Sequence, residues 1–100
     1  MANKFGEHIR KLREAQNLLQ RQVAAAMDID APMLSKIERG ERQAKREQVD
    51  RFAKTFGAKE KELLTLWLAD KIYDVIKDEG DAAEAMRVAE EAYNYQKKKK

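Results

Sequence analysis

Residues 20–40 read QRQVAAAMDIDAPMLSKIERG, and this stretch decides the fold. Val23 and Met27 recur at helical spacing, which predicts a short helix with one apolar face. Asp30 follows a tight corner and is a good N-cap, because its carboxylate can accept amide protons from the first turn of a second helix. Gly40 ends that second helix. The stretch therefore predicts two short helices joined by a sharp turn.

Helical spacing of apolar residues also dominates the rest of the chain. Further helices are predicted over residues 4–16, 45–56, 59–77 and 81–97. We find no alternating strand pattern and no internal repeat of 20–50 residues, about the period of solenoids and propellers. The sequence therefore predicts an all-α fold.

The net charge of +3 conceals an uneven distribution along the chain. Residues 1–61 hold 14 Lys and Arg against 9 Asp and Glu, whereas residues 62–96 hold 3 against 9. Residues 97–100 are four lysines. A basic unit suits a phosphate backbone, and an acidic unit should face away from it. We therefore predict a DNA-binding domain over residues 1–61, a C-terminal helical extension over residues 62–96 and a basic tail over residues 97–100.

Composition argues against several classes of protein. Cysteine is absent, so disulfides and thiolate metal sites are excluded, and His8 alone cannot build a metal site. Neither a signal peptide nor an apolar run of membrane-spanning length is present. The sequence has no Ser/His/Asp arrangement and no phosphate-binding Gly loop. We expect a soluble cytoplasmic protein, with no membrane association, no cofactor and no enzymatic activity.

Fourteen residues of the first two-thirds of the chain match the pattern of a known family. They are Phe5, Ile9, Leu12, Arg13, Gln20, Val23, Ala24, Ile29, Leu34, Ser35, Ile37, Glu38, Gly40 and Arg42. Because of these matches, residues 5–66 resemble the phage-repressor class of helix-turn-helix proteins, the Cro/repressor or XRE family. The same region also resembles small bacterial regulators, some of which control restriction-modification systems. The resemblance implies a lambda-repressor-like bundle of about five helices with a C-terminal helical extension, in a bacterial cytoplasm and on the nucleoid when DNA-bound.

The resemblance also implies roles for individual residues, with the second motif helix in the DNA major groove. Gln20 is expected to bond a phosphate and to brace this recognition helix, while Arg13 and Glu38 form a structural pair. Lys36 is the strongest base-reading candidate, because a cation in the major groove favours guanine O6 and N7. The predicted DNA contacts are Gln20, Ala31, Pro32, Ser35, Lys36, Arg39, Arg42, Lys45 and Arg46. The last four of these form a basic ridge suited to phosphates.

The sequence departs from the family pattern at three places. Leu19 stands where a Ser or Thr cap is common, and Asp28 replaces the usual turn glycine. Ala31 and Pro32 occupy positions where many relatives carry base-reading polar residues, and Asp30 beside them would repel phosphate. Direct base reading should therefore be sparse, with thymine methyl contacts and DNA shape supplying more of the specificity.

The fifth predicted helix carries more apolar surface than one small neighbour needs. Its main stripe is Leu64, Trp67, Leu68, Ile72 and Val75. Either the sixth, first and fourth helices cover this surface, or it forms a two-fold homodimer interface. The lysines at residues 97–100 are either a phosphate-binding arm or a solvated end.

Two functions fit these observations. The leading hypothesis is a dimeric, sequence-specific transcription regulator that binds double-stranded DNA at an inverted repeat and represses by blocking a promoter. The alternative is an antitoxin or protein-interaction module that binds a partner protein through its C-terminal helices.

Overall fold

The computed structural model describes residues 3–98, which form six α-helices and no strand. The helices are α1 (Lys4–Ala15), α2 (Gln20–Met27), α3 (Ala31–Arg39), α4 (Arg46–Phe56), α5 (Glu60–Ile76) and α6 (Ala82–Lys98). Each predicted helix limit agrees to within one residue, and the all-α prediction is confirmed. None of these six helices is both long and apolar enough to cross a lipid bilayer. The predicted basic tail includes Lys99 and Lys100, which lie outside the described residues.

The core lies between α1, α2, α3, α4 and the first half of α5. Phe52 is fully buried, meets the ring of Phe5 edge-on at 5.8 Å and stacks on Phe56 at 6.2 Å. The other buried apolar residues are Ile9, Val23, Ala24, Met27, Leu34, Ile37, Ala44, Val49, Ala53, Leu63 and Trp67. The apolar stripes of α2, α3 and α4 therefore face one common interior, as their helical spacing predicts.

The turn between α2 and α3 has the geometry that its residues favour. Asp28 adopts a left-handed conformation with φ of 58°, which aspartate tolerates better than most residues. Asp30 caps α3 by accepting the amide proton of Met33 at 2.7 Å. Pro32 lies in the first turn of α3, and Gly40 ends the helix with φ of 78°.

A glutamine replaces the missing cap at the start of α2 and of α4. Leu19 and Lys45 occupy the N-cap positions, and neither side chain can accept an amide proton. Gln22 instead accepts the backbone N–H of Leu19 at 2.7 Å, and Gln48 accepts that of Lys45 at 2.8 Å. These bonds are one half of a capping box, so the absence of Ser or Thr at residue 19 is partly compensated.

The first turn of α1 is fixed by contacts from distant parts of the chain. Asp70 accepts the backbone N–H groups of Lys4 and Phe5, each at 3.0 Å, so α5 caps α1. Asn3 donates its side-chain amide to the carbonyl oxygen of Glu38 at 2.8 Å. Gly6 packs directly against the end of α3, where a Cβ would lie 2.3 Å from the carbonyl oxygen of Ile37.

The first half of α5 belongs to the core. Leu63 and Trp67 are buried, and Trp67 donates its indole N–H to the carbonyl oxygen of Ala44 at 2.7 Å. The core therefore continues past the predicted domain boundary between residues 61 and 62. The ring of Trp67, a predicted dimer-interface residue, is already buried within one chain. Leu64 is half-buried and packs on the same core.

The second half of α5 and all of α6 lie outside the core. Leu68, Ile72 and Val75 remain 41%, 55% and 78% exposed, and no residue of α6 is buried. The radius of gyration is 15.7 Å, whereas a compact chain of this length has about 13 Å. Of the two alternatives for the apolar surface of α5, coverage by α6 is therefore not observed in the described residues. We call residues 68–98 the C-terminal arm.

Gly6→Ala should destabilise the fold. Alanine favours a helix, but its Cβ would meet backbone rather than a flexible side chain, so the clash should cost about 1–3 kcal/mol. Thermal unfolding followed by circular dichroism measures this loss, which for a chain of this size corresponds to about 4–8 °C per kcal/mol. Gly80→Ala is the matched control, because a Cβ at Gly80 has no neighbour within 4 Å. Equal effects of the two substitutions would contradict the close contact at Gly6.

Candidate nucleic-acid interface

A buried carboxylate fixes the end of α3. Glu38 is only 5% exposed and accepts two hydrogen bonds from Arg13, Nε to Oε2 at 2.7 Å and Nη2 to Oε1 at 3.1 Å. Gln20 donates its side-chain amide to the same carboxylate at 3.0 Å. The hydrogen bond with Glu38 raises the pKa of Arg13 above its usual value. Glu38 is thus paired and hydrogen-bonded, as a buried charge must be.

The same arginine also fixes the segment between α1 and α2. Arg13 Nη1 donates to the carbonyl oxygen of Leu18 at 3.0 Å. Three elements therefore meet at Glu38: α1 through Arg13, the start of α2 through Gln20, and α3 itself. An amide NH₂ group has two hydrogens, so Gln20 retains a second donor after bonding Glu38.

The outer side of α3 forms one continuous exposed face. Pro32, Ser35, Lys36 and Arg39 follow the i, i+3, i+4, i+7 spacing of a single helix face. Ser35 is half-exposed and the other three are exposed. Ala31 is half-buried at the first turn, next to this face. Within residues 3–98 Lys36 forms no salt bridge, so its ammonium group is available to a ligand.

Two predicted DNA contacts, Ser35 and Arg39, are bound to each other. Arg39 donates to the Ser35 hydroxyl and pairs with Glu41, with Nε 2.5 Å from Oε2. The hydrogen bond from Arg39 lowers the pKa of Glu41 below its usual range, so this carboxylate stays charged at neutral pH. Any phosphate or base that binds Arg39 must therefore compete with Glu41 for the guanidinium group.

The loop after α3 carries the remaining predicted contacts. The carbonyl oxygen of Lys36 accepts the backbone N–H groups of Glu41 and Arg42, at 2.9 and 3.3 Å. The indole of Trp67 holds the other end of the loop at Ala44. Arg42 is exposed on this loop, and Lys45 and Arg46 are exposed at the start of α4. These three cations and Arg39 at the end of α3 are the four residues of the predicted ridge.

A comparison with protein-family models assigns the part of the chain that carries this surface to a family. The model described as a helix-turn-helix domain matches residues 4–66. The chain belongs to this helix-turn-helix family. Comparison with curated proteins and with solved structures gives no match. The motif helices are α2 and α3, and the second helix of this DNA-binding motif is the one that enters the major groove.

The predicted contacts fall into three groups. The first surrounds a small groove between α1, the start of α2 and α3. Its lining residues are Arg10, Arg13, Gln20, Ser35, Glu38 and Arg39. The second group is the rest of the ridge, Arg42, Lys45 and Arg46. The third group, Lys36, Pro32 and Ala31, belongs to the face of α3 itself. No cluster of acidic or histidine side chains suited to a metal ion occurs in the described part of the chain.

Sequence reasoning missed three contacts that position the helix-turn-helix, and it missed Arg10, which only lines the groove. Asn3, Trp67 and Asp70 act over separations of 23 to 66 residues along the chain. No local pattern reports such contacts. Those of Trp67 and Asp70 depend on how α5 packs against α1 and the loop after α3, and that of Asn3 depends on how α1 packs against α3.

Arg13→Ala should destabilise the helix-turn-helix by about 3 kcal/mol, because it leaves the carboxylate of Glu38 buried with one neutral partner. Denaturant unfolding measures this loss. Arg10→Ala is the matched control on the same helix, since the ion pair of Arg10 with Glu14 is exposed and should matter far less.

A double substitution separates the buried charge from simple loss of packing. Arg13→Met combined with Glu38→Leu should recover part of the stability, because no charged group then stays buried without its partner. If the double variant were as unstable as the sum of its single variants, the pair would not be coupled as the geometry indicates.

Proposed function

We propose that this chain is a sequence-specific transcription regulator of the Cro/repressor (XRE) class. It binds an inverted-repeat operator in double-stranded DNA as a homodimer and represses by blocking the promoter. The observation that supports this proposal is the exposed face of α3. It carries an unpaired Lys36 and is held from behind by the buried Glu38 network.

Base reading in this proposal rests on few residues. Lys36 can donate to guanine O6 and N7 from the centre of α3. Pro32 and Ala31 offer apolar surface, which suits the methyl group of thymine. Since only one cation of this face is free of partners, DNA shape at uncontacted base pairs contributes the rest of the specificity.

Phosphate binding in this proposal comes from both sides of α3. On one side, Gln20 offers its second amide hydrogen at the start of α2, where the helix dipole also favours an anion. On the other side, Arg42, Lys45 and Arg46 form the ridge. Contacts on two flanks fix the register of α3 on the duplex without carrying sequence information themselves.

Dimerisation follows from the small size of α3. A helix of nine residues reads only a few base pairs, so two copies on half-sites about 34 Å apart give the specificity that one lacks. The C-terminal arm supplies a surface for pairing, because Leu68, Ile72 and Val75 are exposed there. A random-library DNA selection with sedimentation of the bound species tests the proposal directly: one enriched inverted repeat bound by a dimer supports it, and no enrichment at near-physiological salt contradicts it.

The exposed apolar surface of the arm also supports a second function, an antitoxin or protein-interaction module. In that case the arm binds a different protein. The helix-turn-helix is then either a scaffold or a DNA-binding domain that represses the gene of the antitoxin itself. A stable complex with one partner, together with no DNA selection, would favour this function over the first.

Two substitutions distinguish base reading from phosphate binding. Lys36→Ala should cost about 1–3 kcal/mol at the selected site and relax base preference there. Arg42→Ala should weaken binding to all sequences and reduce the slope of log affinity against log salt by about one. Titration of specific and random duplexes over a salt series measures both. If the two variants lost equal affinity for random DNA, the proposed division of roles would be wrong.

Glu41→Gln should tighten binding to all DNA sequences. The substitution removes a negative charge beside the ridge and releases Arg39 from its ion pair, so the salt slope should steepen by up to about one phosphate contact. Glu62→Gln is the matched control, because Glu62 is equally exposed but lies in the first turn of α5. An equal gain from both variants would show a general charge effect rather than release of Arg39.

A further inference from the structure

One side of α6 is apolar from Ala82 to Tyr93, and no other helix of residues 3–98 covers it. Its residues recur at i, i+3, i+4 and i+7, which places them on one face. They are Ala82, Ala85, Met86, Ala89, Ala92 and Tyr93. All are exposed except Ala82, which is half-exposed. Small alanine side chains allow another helix to approach closely along this face.

The apolar face of α6 continues into a notch where α5 and α6 meet. Ile72, Tyr73 and Ile76 line the α5 side of this notch, and Ala82 and Met86 line the α6 side. Because the two helices diverge from the notch instead of packing together, the apolar surfaces of both remain open to a further helix. A stable protein interface needs about 800 Å² from each partner, which an extended two-helix surface can supply.

The two ends of α6 carry opposite charge, with carboxylates at the start and lysines at the end. Residues 74–84, which we call the acidic corner, hold five carboxylates and one lysine. Residues 97–100, the lysine run, hold four lysines. Along α6 the end of the acidic corner and the start of the lysine run are about 20 Å apart, well beyond the screening length in physiological salt. The acidic corner and the lysine run therefore cannot neutralise each other within one copy.

Local ion pairs leave most of the acidic corner unmatched. Asp74 pairs with Lys77 at 3.7 Å, and Glu84 pairs with Arg87 one turn along α6. Asp78, Glu79 and Asp81 form no salt bridge with any other described residue. Three neighbouring unpaired carboxylates beside an apolar face favour a partner that brings cations to the end of that face.

We propose that a second copy of this chain covers the face, with the two α6 helices antiparallel. Lys97 and Lys98 of each copy then lie against the acidic corner of the other. A two-fold axis makes both contacts at once, because each copy presents the same surface. A parallel pair would instead place lysine on lysine and carboxylate on carboxylate. The proposal rests on the dimeric function above and specifies how its two copies meet.

The charges at the ends of α6 also favour its own helix dipole, with carboxylates at the start and lysines at the end. That effect acts within one chain. It can change the helicity of a variant, but mixing two variants cannot restore it. Restoration by mixing therefore tests contact between copies and nothing else.

The test uses two charge-reversed variants of the full chain. One carries Lys97→Glu, Lys98→Glu, Lys99→Glu and Lys100→Glu, and the other carries Asp78→Lys, Glu79→Lys and Asp81→Lys. Sedimentation equilibrium without DNA should show a wild-type dimer. In each variant like charges face each other, so the dimer Kd should rise about tenfold or more. An equimolar mixture should form a heterodimer about as tight as wild type, because opposite charges then meet at both ends.

Two single substitutions test the apolar face with matched chemistry. Ala89→Glu puts a charge at the centre of the face and should abolish the dimer. Asn94→Glu adds the same charge on the opposite, exposed side of α6, outside the acidic corner and the lysine run, and should leave the dimer Kd within about twofold, as expected for a surface site outside the interface. Circular dichroism of both variants should show unchanged helicity, which separates loss of association from loss of folding.

Three results would overturn the proposal. The first is a chain that stays monomeric up to its solubility limit, which leaves the face to a different partner. The second is a charge-reversed lysine run that leaves the dimer Kd unchanged but weakens DNA binding, which would show that those lysines bind phosphate. The third is failure of the mixed variants to associate. Each result leaves the Lys36→Ala comparison intact, so failure of the dimer geometry and failure of DNA binding remain distinguishable.

Discussion

The exposed face of α3 depends on the hydrogen bonds that Arg13 and Gln20 donate to the buried carboxylate of Glu38. An unpaired carboxylate in the interior is costly, so Glu38 can be buried only where Arg13 and Gln20 both reach it. Those donors come from α1 and from the start of α2. Once they are in place, α3 has one allowed rotation about its own axis. The side chains opposite Glu38, Ile37 and Leu34 must then face outward, and Lys36 lies among them.

A second set of contacts connects the exposed face of α3 to the C-terminal arm. The loop after α3 is held by Trp67 at Ala44, and α1 is capped by Asp70, so both attachments come from the middle of α5. The helix then continues without a break into the arm. In a two-fold dimer the spacing of the two α3 helices must match the DNA repeat. An unbroken helix from these attachments to Ile76 restricts that spacing more than a flexible linker between domains would.

Local signals predicted the helix limits, the turn at Asp28, the cap at Asp30 and the face of α3, because each depends on residues a few positions apart. The inward face of α5 could not be predicted in the same way. Leu63, Leu64, Leu66, Trp67 and Leu68 give α5 apolar residues on several sides, so helical spacing does not choose among them. The choice is made by α1, α4 and the loop at Ala44, which are distant in sequence. The bonds that join Arg39 to Ser35 and Glu41 were missed for another reason: exposed polar side chains have several partners of similar energy within reach.

Division of charge within the chain gives DNA binding and the proposed pairing different responses to salt. The proposed contacts of Lys36 and the ridge with DNA would release counterions, so affinity should fall steeply as salt increases. The proposed pairing of α6 helices rests mainly on apolar surface, and its charged ends are few and exposed, so screening should weaken it much less. In the dimer each lysine run would also be neutralised by an acidic corner. The arm would then present an acidic surface to the duplex, whereas the basic side of α3 would attract it.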